Sequence, residues 1–404
     1  MQTQLDPRIQ QREYATTVDS ILRKCVHCGF CNATCPTYQL LGDELDGPRG
    51  RIYQMKQYFE GEPANADMLL HLDRCLTCRS CETTCPSGVR YSELLEIGRE
   101  AIEQDFERPL IERLRRRAIL WILHSGWLFR LMLRVGQLFR GLLPANWRRK
   151  VPRRQPSLPR NHESHTRRVL LLGGCVQGAL TPNTNIMAQT VLNKLGIEAI
   201  ESPARYCCGA AASHTSAVDL GREQARRLID YCWPQVQAGI EAIVGTATGC
   251  GITVKEYPQL LAGDPQYGHK AETISSLFYD LTELIEQELD RLTAIFPQAR
   301  RVAVHTPCSM QHGLNLNHRI ERILEACGYE ICAVAEAHLC CGSAGTYSLL
   351  QSEIADQLRH NKIRALSLNQ PDVIATANVG CQLQLDGDDA PPVVHWIELL
   401  RLDP

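Results

Sequence analysis

The chain has 404 residues, of which 44% are hydrophobic, so it is long enough for two or three domains with proper cores. Its 19 cysteines exceed what packing alone requires. A secreted disulfide scaffold is disfavoured because the cysteines cluster in C-x2-C spacing and the polar N-terminus, MQTQLDPRIQQREYATT, does not read as a signal peptide. We therefore expect metal-bound thiolates in a reducing, cytoplasmic compartment. The net charge of −2 is uninformative by itself.

Eight cysteines near the N-terminus repeat one spacing. The runs 25–36 and 75–86 both read C-x2-C-x2-C-x3-C-P. This is the pattern of two-cluster ferredoxins, in which the fourth cysteine of each run ligates the other run's cluster. It predicts one [4Fe–4S] cluster held by Cys25, Cys28, Cys31 and Cys85 and a second held by Cys75, Cys78, Cys81 and Cys35. Closed zinc sites are the alternative that the spacing leaves open.

The segments around these runs have helical patterns. We predict helices over 9–23, through Ile52–Phe59 and over 91–107, which makes residues 1–107 an α-helical two-cluster ferredoxin module.

Residues 108–168 form a basic segment followed by a linker. From Arg108 to Arg154 there are 13 basic residues and one acidic residue, against 30 basic and 44 acidic residues in the rest of the chain. The longest uncharged run, 118–129, is too short for a membrane span, which needs about 20 residues. Ser125 and Gly126 predict a break between two amphipathic helices. Lipid contact, docking on a partner subunit and packing on the ferredoxin module all fit this pattern.

The remainder of the chain is a duplication. Buried-strand patterns alternate with helices, which predicts two α/β repeats with parallel sheets, 169–300 and 301–404. In both repeats, 31 residues separate a first cysteine from a Cys-Cys-Gly motif. The corresponding cysteines are Cys175, Cys207, Cys208 and Cys250 in the first repeat and Cys308, Cys340, Cys341 and Cys381 in the second. The fold class is thus α+β and α/β.

These cysteines are predicted to end strands or to lie in glycine-containing loops. Because ligands bind at the carboxyl ends of parallel strands, four thiolates per repeat would converge at one edge of each sheet. A further iron–sulfur cluster, a zinc ion and plain core packing remain open for them. We interpret the nearby His305, His312 and His338 as ordinary core or surface residues; the alternative is that they hydrogen-bond a cluster sulfur or serve as an outer ligand.

No catalytic residue stands out from the sequence. It contains no G-x-G-x-x-G fingerprint after a strand, no P-loop and no serine–histidine–aspartate set. Iron–sulfur clusters carry single electrons, and nothing in the sequence predicts a cofactor that accepts a hydride. The chain therefore has the features of an electron conduit that depends on another subunit for substrate oxidation.

The two cysteine runs, the linking GDELDGPRGRI stretch (42–52) and the paired Cys-Cys-Gly repeats together resemble the iron–sulfur subunits of bacterial glycolate oxidase. Related families are the anaerobic glycerol-3-phosphate dehydrogenase C subunits, lactate-utilisation proteins and B-type subunits of heterodisulfide reductase. The resemblance implies flavin-containing partner subunits that oxidise glycolate to glyoxylate, with electrons passing through this chain to a quinone or another acceptor. It also implies peripheral association with the inner membrane.

One feature departs from that pattern. In the heterodisulfide reductase relatives the last cysteine of each repeat begins a C-x2-C pair, whereas here Thr253 and Gln384 occupy the second position. A five-ligand noncubane cluster is therefore not expected. Alternatives are a related flavoprotein dehydrogenase subunit for glycerol-3-phosphate or lactate, a self-sufficient enzyme acting at a Cys-Cys-Gly site, or a zinc-stabilised interaction protein. We expect no nucleic-acid partner, because Trp121, Trp127 and Trp147 lie in apolar patterns.

Overall fold

This computed structural model describes residues 1–160, 163–292 and 300–400, with the backbone alone for 145–147. Parts of the predicted linker (161–162) and of the two predicted repeats (293–299 and 401–404) lie outside the described residues.

The N-terminal module is helical, as predicted. The helix predicted over 9–23 is instead two helices, because the intervening turn brings Tyr14 against Phe59, with ring centroids 6.1 Å apart. Helices α1–α8 span Pro7–Gln10, Ala15–Lys24, Phe30–Ala33, Pro36–Leu41, Pro48–Phe59, Ala66–Asp73, Ser80–Thr84 and Tyr91–Asp105. A 3₁₀ turn covers Glu44–Asp46. Their apolar faces form one core, whose largest buried side chains include Phe59, Met55, Leu72, Leu94 and Leu95.

The basic segment forms two helices separated at the predicted break. Helix α9 is Leu110–His124 and helix α10 is Gly126–Leu138, and the two meet at a 98° bend. A 3₁₀ turn at Arg140–Leu142 and helix α11, Ala145–Lys150, follow. Among the described residues no single helix is long and apolar enough to cross a membrane; the α9–α10 pair meets the length and composition requirement only when its two helices are taken together.

Each repeat contains a four-stranded parallel sheet, as the alternating patterns predict. The strands are β1 (Arg167–Leu171), β2 (Ile197–Glu201), β3 (Ala242–Gly245), β4 (Phe278–Asp280), β5 (Arg301–His305), β6 (Glu330–Cys332), β7 (Val373–Thr376) and β8 (Val393–His395). The strand orders, β2-β1-β3-β4 and β6-β5-β7-β8, are the same arrangement used twice. The sequence duplication is therefore a duplication of topology.

Helices cover both sheets. In the first repeat, α12–α20 span Gln177–Leu180, Pro182–Lys194, Ala210–Ser213, Val218–Gln237, Thr248–Lys255, Tyr257–Leu260, Gly268–Leu277, Leu281–Gln287 and Leu289–Leu292. In the second, α21–α24 span Arg319–Ala326, Tyr347–Leu350, Ser352–Ser367 and Val379–Leu385, with a π-helical turn at Ser309–Gly313 and a 3₁₀ turn at Trp396–Leu399. One apolar core contains side chains from both sheets, including Val169 and Val302, so the repeats pack against each other.

One expectation about the cysteine positions is wrong. Cys250 and Cys381 do not end strands: β3 stops at Gly245 and β7 at Thr376, and both cysteines lie in the first turn of the following helix, α16 or α24. The chain leaves each sheet after β3 or β7, and the next helix starts three residues later. Cys250 and Cys381 therefore lie beyond the carboxyl ends of these strands.

Candidate metal centres

The first cysteine cavity lies between the two cysteine runs. Cys25, Cys28, Cys31 and Cys85, which are the four predicted ligands of one cluster, line one common cavity. Cys81 from the other set also faces this cavity. The two runs therefore meet across the module, as cross-ligation requires.

The second cavity lies directly beside the first. It is lined by Cys35, Cys75, Cys78 and Cys81, the predicted ligands of the other cluster. Because Pro48, Cys81 and Tyr91 line both spaces, the two cavities adjoin.

The two cysteine runs share an unusual backbone path. His27 and Thr77 have φ values of 58° and 51°, and Gly29 and Arg79 have values of 85° and 63°, at equivalent positions of the two runs. Left-handed residues in such turns direct backbone N–H groups into a concavity, a common arrangement at iron–sulfur sites. Thr77 N donates a hydrogen bond to Cys75 Sγ at 3.5 Å. The second run keeps this geometry without glycine, which indicates that the turn is held by its surroundings.

The thiols are in an environment that disfavours free thiolates. Burial raises the pKa of Cys31 to about 11 and raises the pKa of Cys78 and of Cys81 well above the usual value. Metal ligation requires the thiolate, so a bound cluster replaces the proton on each sulfur. The donor set of four cysteines per apolar cavity fits a [4Fe–4S] cluster.

A buried arginine compensates charge at the second cavity. The Arg51 side chain is 1% exposed, lines the cavity, and donates from Nε to the carbonyl of His71 at 2.7 Å. Its Nη1 and Nη2 donate to Thr37 Oγ1, 3.2 Å away, and that hydroxyl lies 3.3 Å from Cys35 Sγ. Asp46, also buried, pairs with Arg51 at 3.4 Å.

Tyr91 supplies a second polar contact to this cavity, since its hydroxyl donates to Cys75 Sγ at 3.5 Å. Both Arg51 and Tyr91 were missed as functional residues by the sequence reasoning. The available signal for Arg51 was the GDELDGPRGRI stretch, which also contains Asp46. A charged residue that is buried in a helical core needs a partner.

The four cysteines of the first repeat converge, as predicted. Cys207 Sγ lies 3.5 Å from Cys175 Sγ, and interactions with the thiols of Cys207 and Cys250 raise the pKa of Cys208. The interaction between Cys175 and Cys207 is the main cause that lowers the pKa of Cys207. An interaction with Cys207 raises the pKa of His124, at the end of α9. The basic segment thus reaches the sulfur atoms of the first repeat.

The second repeat brings its four cysteines together in the same way. Cys308 Sγ lies 3.9 Å from Cys340 Sγ, and Cys341 Sγ lies within 4.8 Å of Cys381 Sγ. Gly342 N donates to Cys340 Sγ at 3.4 Å. Three further cysteines outside the repeated sets are buried in apolar cores: Cys232, Cys327 and Cys332.

The ferredoxin module contacts the second repeat through its second cavity. Cys78 packs in one apolar cluster with Cys308 and Cys340. Tyr347 of α22 belongs to the same cluster, and its hydroxyl donates to the carbonyl of Arg74 at 3.1 Å. The second cavity is therefore the one that adjoins a Cys-Cys-Gly site.

The basic segment divides into a packed part and an exposed part. In α9, Arg116 pairs with Asp73 of the ferredoxin module at 2.6 Å, and Leu120 is buried. In α10, by contrast, none of the residues is buried. Packing on the ferredoxin module thus accounts for one face of α9 and for none of α10. Its exposed apolar residues and those of the following turn are Trp127, Leu131, Met132, Val135, Leu138, Phe139 and Leu142.

Models of two protein families match parts of the chain. Residues 21–89 match the 4Fe-4S dicluster domain, and residues 169–255 and 302–386 each match the cysteine-rich CCG domain. These matches agree with the predicted ferredoxin module and with the duplication, and they show that the chain is an iron–sulfur protein.

Three curated proteins illustrate the similarity. The chain is 49% identical over 402 residues to the glycolate oxidase iron-sulfur subunit of Escherichia coli, covering 99% of this chain and 98% of that protein. It is 29% identical to the probable glycolate oxidase iron-sulfur subunit of Bacillus subtilis, over 95% and 93% of the two chains. Lactate utilization protein A of Bacillus velezensis is 26% identical over 58% of this chain and 99% of its own length. The chain therefore belongs to the family of glycolate oxidase iron–sulfur subunits.

Proposed function

We propose that this chain carries electrons from flavin-containing subunits, which oxidise glycolate to glyoxylate, towards a quinone or another acceptor. The two cysteine cavities that share Cys81 are the observation that carries the proposal. Two [4Fe–4S] clusters supply one-electron transfer when bound. Two adjoining sites in one helical module suit a relay of single electrons.

The proposed ligands are those of the predicted cross-ligation. Cys25, Cys28, Cys31 and Cys85 hold one cluster, and Cys75, Cys78, Cys81 and Cys35 hold the other. The chain's own residues then set the electrostatics: Arg51 places a positive charge beside Cys35, and Tyr91 donates to Cys75. Hydrogen bonds and nearby charge of this kind raise a cluster's potential.

The test is reduction by substrate, followed by EPR at low temperature. We expect glycolate to reduce both clusters in the complex with the flavin subunits and neither cluster in the purified chain alone. Glycerol-3-phosphate and lactate, tested in the same complex, distinguish the related dehydrogenases. Reduction of the isolated, flavin-free chain by glycolate would contradict the proposal, and so would full acceptor turnover by a complex whose Cys78→Ser subunit lacks the second cluster.

We further propose that the chain is cytoplasmic and binds peripherally to the inner membrane through α10. The exposed fractions of Trp127, Leu138 and Leu142 are 68%, 78% and 83%. Arg130 and Arg134 stand on the same short helix. An exposed apolar face with flanking arginines is typical of helices that lie in the interface of an anionic membrane.

Vesicle flotation tests this localisation. The purified chain should float with vesicles containing anionic lipid, and Leu131→Asp with Leu138→Asp should abolish flotation. Leu368→Asp is the matched control, because Leu368 is also exposed, at 62%, but lies in the second repeat. Unchanged flotation of the double variant would contradict membrane contact through α10. Loss of flavin-subunit binding in that variant, without loss of flotation, would instead assign the helix to subunit docking.

A further inference from the structure

The second repeat contains a group of potential metal ligands that has no counterpart among the described residues of the first repeat. One ring nitrogen of His305 and the sulfur atoms of Cys341 and Cys381 all lie within 4.8 Å of one another, and all three residues are buried. His305 ends strand β5, where the first repeat has Leu172: strand pairing aligns Val302 with Val373 just as it aligns Val169 with Ala242. The histidine is therefore specific to one copy of the duplication.

His305 has no hydrogen-bond partner. It is 2% exposed, and neither Nδ1 nor Nε2 bonds to any described atom. Buried polar side chains are almost always hydrogen-bonded, because an unpaired buried group costs about 1–3 kcal/mol. His395 shows the usual solution in this same chain: its Nε2 bonds to the carbonyl of Thr246 at 2.8 Å, and its Nδ1 accepts from Ile397 N at 3.3 Å.

The spacing of these ligands suits one ion. Tetrahedral zinc, with Zn–S distances of about 2.3 Å, places its ligand sulfurs about 3.8 Å apart. The triad lies within 4.8 Å. Cys340, which precedes Cys341 in the chain, is buried as well. Nitrogen and sulfur donors in a closed, buried site are the ligands that structural zinc prefers.

The surroundings also provide charge balance. Lys362 of α23 is buried, lies in electrostatic range of Cys308, Cys340, Cys341 and Cys381, and donates from Nζ to the carbonyl of Glu336 at 2.9 Å. In the first repeat, the corresponding part of helix α15 has the buried apolar residues Leu228 and Ile229. The second repeat thus differs from the first in two polar residues that face its cysteines.

We propose that the second repeat holds a single zinc ion, with His305, Cys341 and Cys381 as three of its ligands. Binding releases the thiol protons to solvent and transfers no electron. Because zinc is not redox-active, this site is structural. The proposal does not rest on the electron-transfer function proposed above.

The first test is metal content and zinc X-ray absorption on the anaerobically purified full chain. We expect about eight irons and one zinc per chain, counting two cubane clusters, and a zinc shell that contains nitrogen at about 2.0–2.1 Å beside sulfur at about 2.3 Å. About twelve irons without zinc, or a zinc shell of sulfur alone, would overturn the proposal. This measurement uses the unaltered protein, so it decides the question even if a variant does not fold.

The second test introduces the first repeat's own residue. His305→Leu should lower zinc at least ten-fold while the iron content stays at about eight, and His305→Cys should restore zinc with an all-sulfur shell. Cys250 of the first repeat corresponds to Cys381 of the second, and Cys250→Ser should leave the zinc content unchanged. Retention of zinc in folded His305→Leu would refute histidine ligation. EPR of the ferredoxin clusters in the same samples reports separately on the electron-transfer role.

Discussion

Replacing Arg51 by methionine should lower the reduction potential of the second cluster. Reduction adds negative charge, and Arg51 is a buried positive charge beside a proposed ligand. Thr37 Oγ1 lies 3.3 Å from Cys35 Sγ and 3.2 Å from Arg51 Nη1, so the guanidinium is at most about 6.5 Å from that sulfur. At this distance, with an effective dielectric constant of about 20, a unit charge contributes about 2.5 kcal/mol, or about 110 mV for one electron.

The net shift is smaller than this pairwise value, because the added electron spreads over the whole cluster and because Asp46 offsets part of the arginine's charge. We expect a decrease of about 50–100 mV. Asp46 keeps contacts with His71 at 3.0 Å and Arg74 at 2.8 Å, so the variant retains partners for the carboxylate. The assay is a redox titration followed by EPR, which resolves the two clusters.

Two controls separate charge from structural damage. Arg23→Met removes an arginine whose side chain is 53% exposed and which pairs with Asp19, so neither potential should move. Arg51→Met combined with Asp46→Asn removes one charge of each sign, and the potential should return towards that of the unaltered protein. An unchanged or raised potential in Arg51→Met, with iron content intact, would refute the electrostatic reasoning.

Cys35→Ser should remove the second cluster and Cys85→Ser the first, because each cysteine is proposed to close the cluster of the opposite run; loss of the first cluster's EPR signal in Cys35→Ser, with the second cluster's signal unchanged, would contradict cross-ligation. Tyr91→Phe removes the hydrogen bond to Cys75 Sγ and should lower the second cluster's potential by tens of millivolts in the same titration. Burial raises the pKa of Asp280 to about 6. The folded protein therefore loses stability as the pH rises from about 4 to 6, and Asp280→Asn should raise Tm at pH 8 more than at pH 4; equal shifts would contradict this cause.

The ferredoxin module was predictable because its information is local. Cysteine spacing, the trailing prolines and apolar periodicity indicate two clusters and a helical fold, and these signals need no knowledge of distant contacts. The alternating strands and the duplication were predictable for the same reason. The ends of the strands were not predictable in the same way. Cys250 and Cys381 lie in helices because the chain leaves the sheet several residues before each cysteine.

Side-chain surroundings were not predictable, because they depend on residues far apart in the chain. Arg51 reaches the second cavity through Thr37, and His124 reaches Cys207 across 83 positions of sequence. His305 was interpreted as an ordinary histidine because nothing in its local pattern shows what it faces.

The sequence by itself determined the ligand types, their grouping into four cysteine sets and the family, since all three reside in residue identity and spacing. Only the tertiary structure decided that the two cavities adjoin at Cys81, that the second cavity meets the second repeat at Cys78, and that the two repeats differ in what faces their thiols. The physical reason is that potentials and metal preference depend on charge, burial and hydrogen bonds within a few ångströms, and folding brings those groups together from separate parts of the chain.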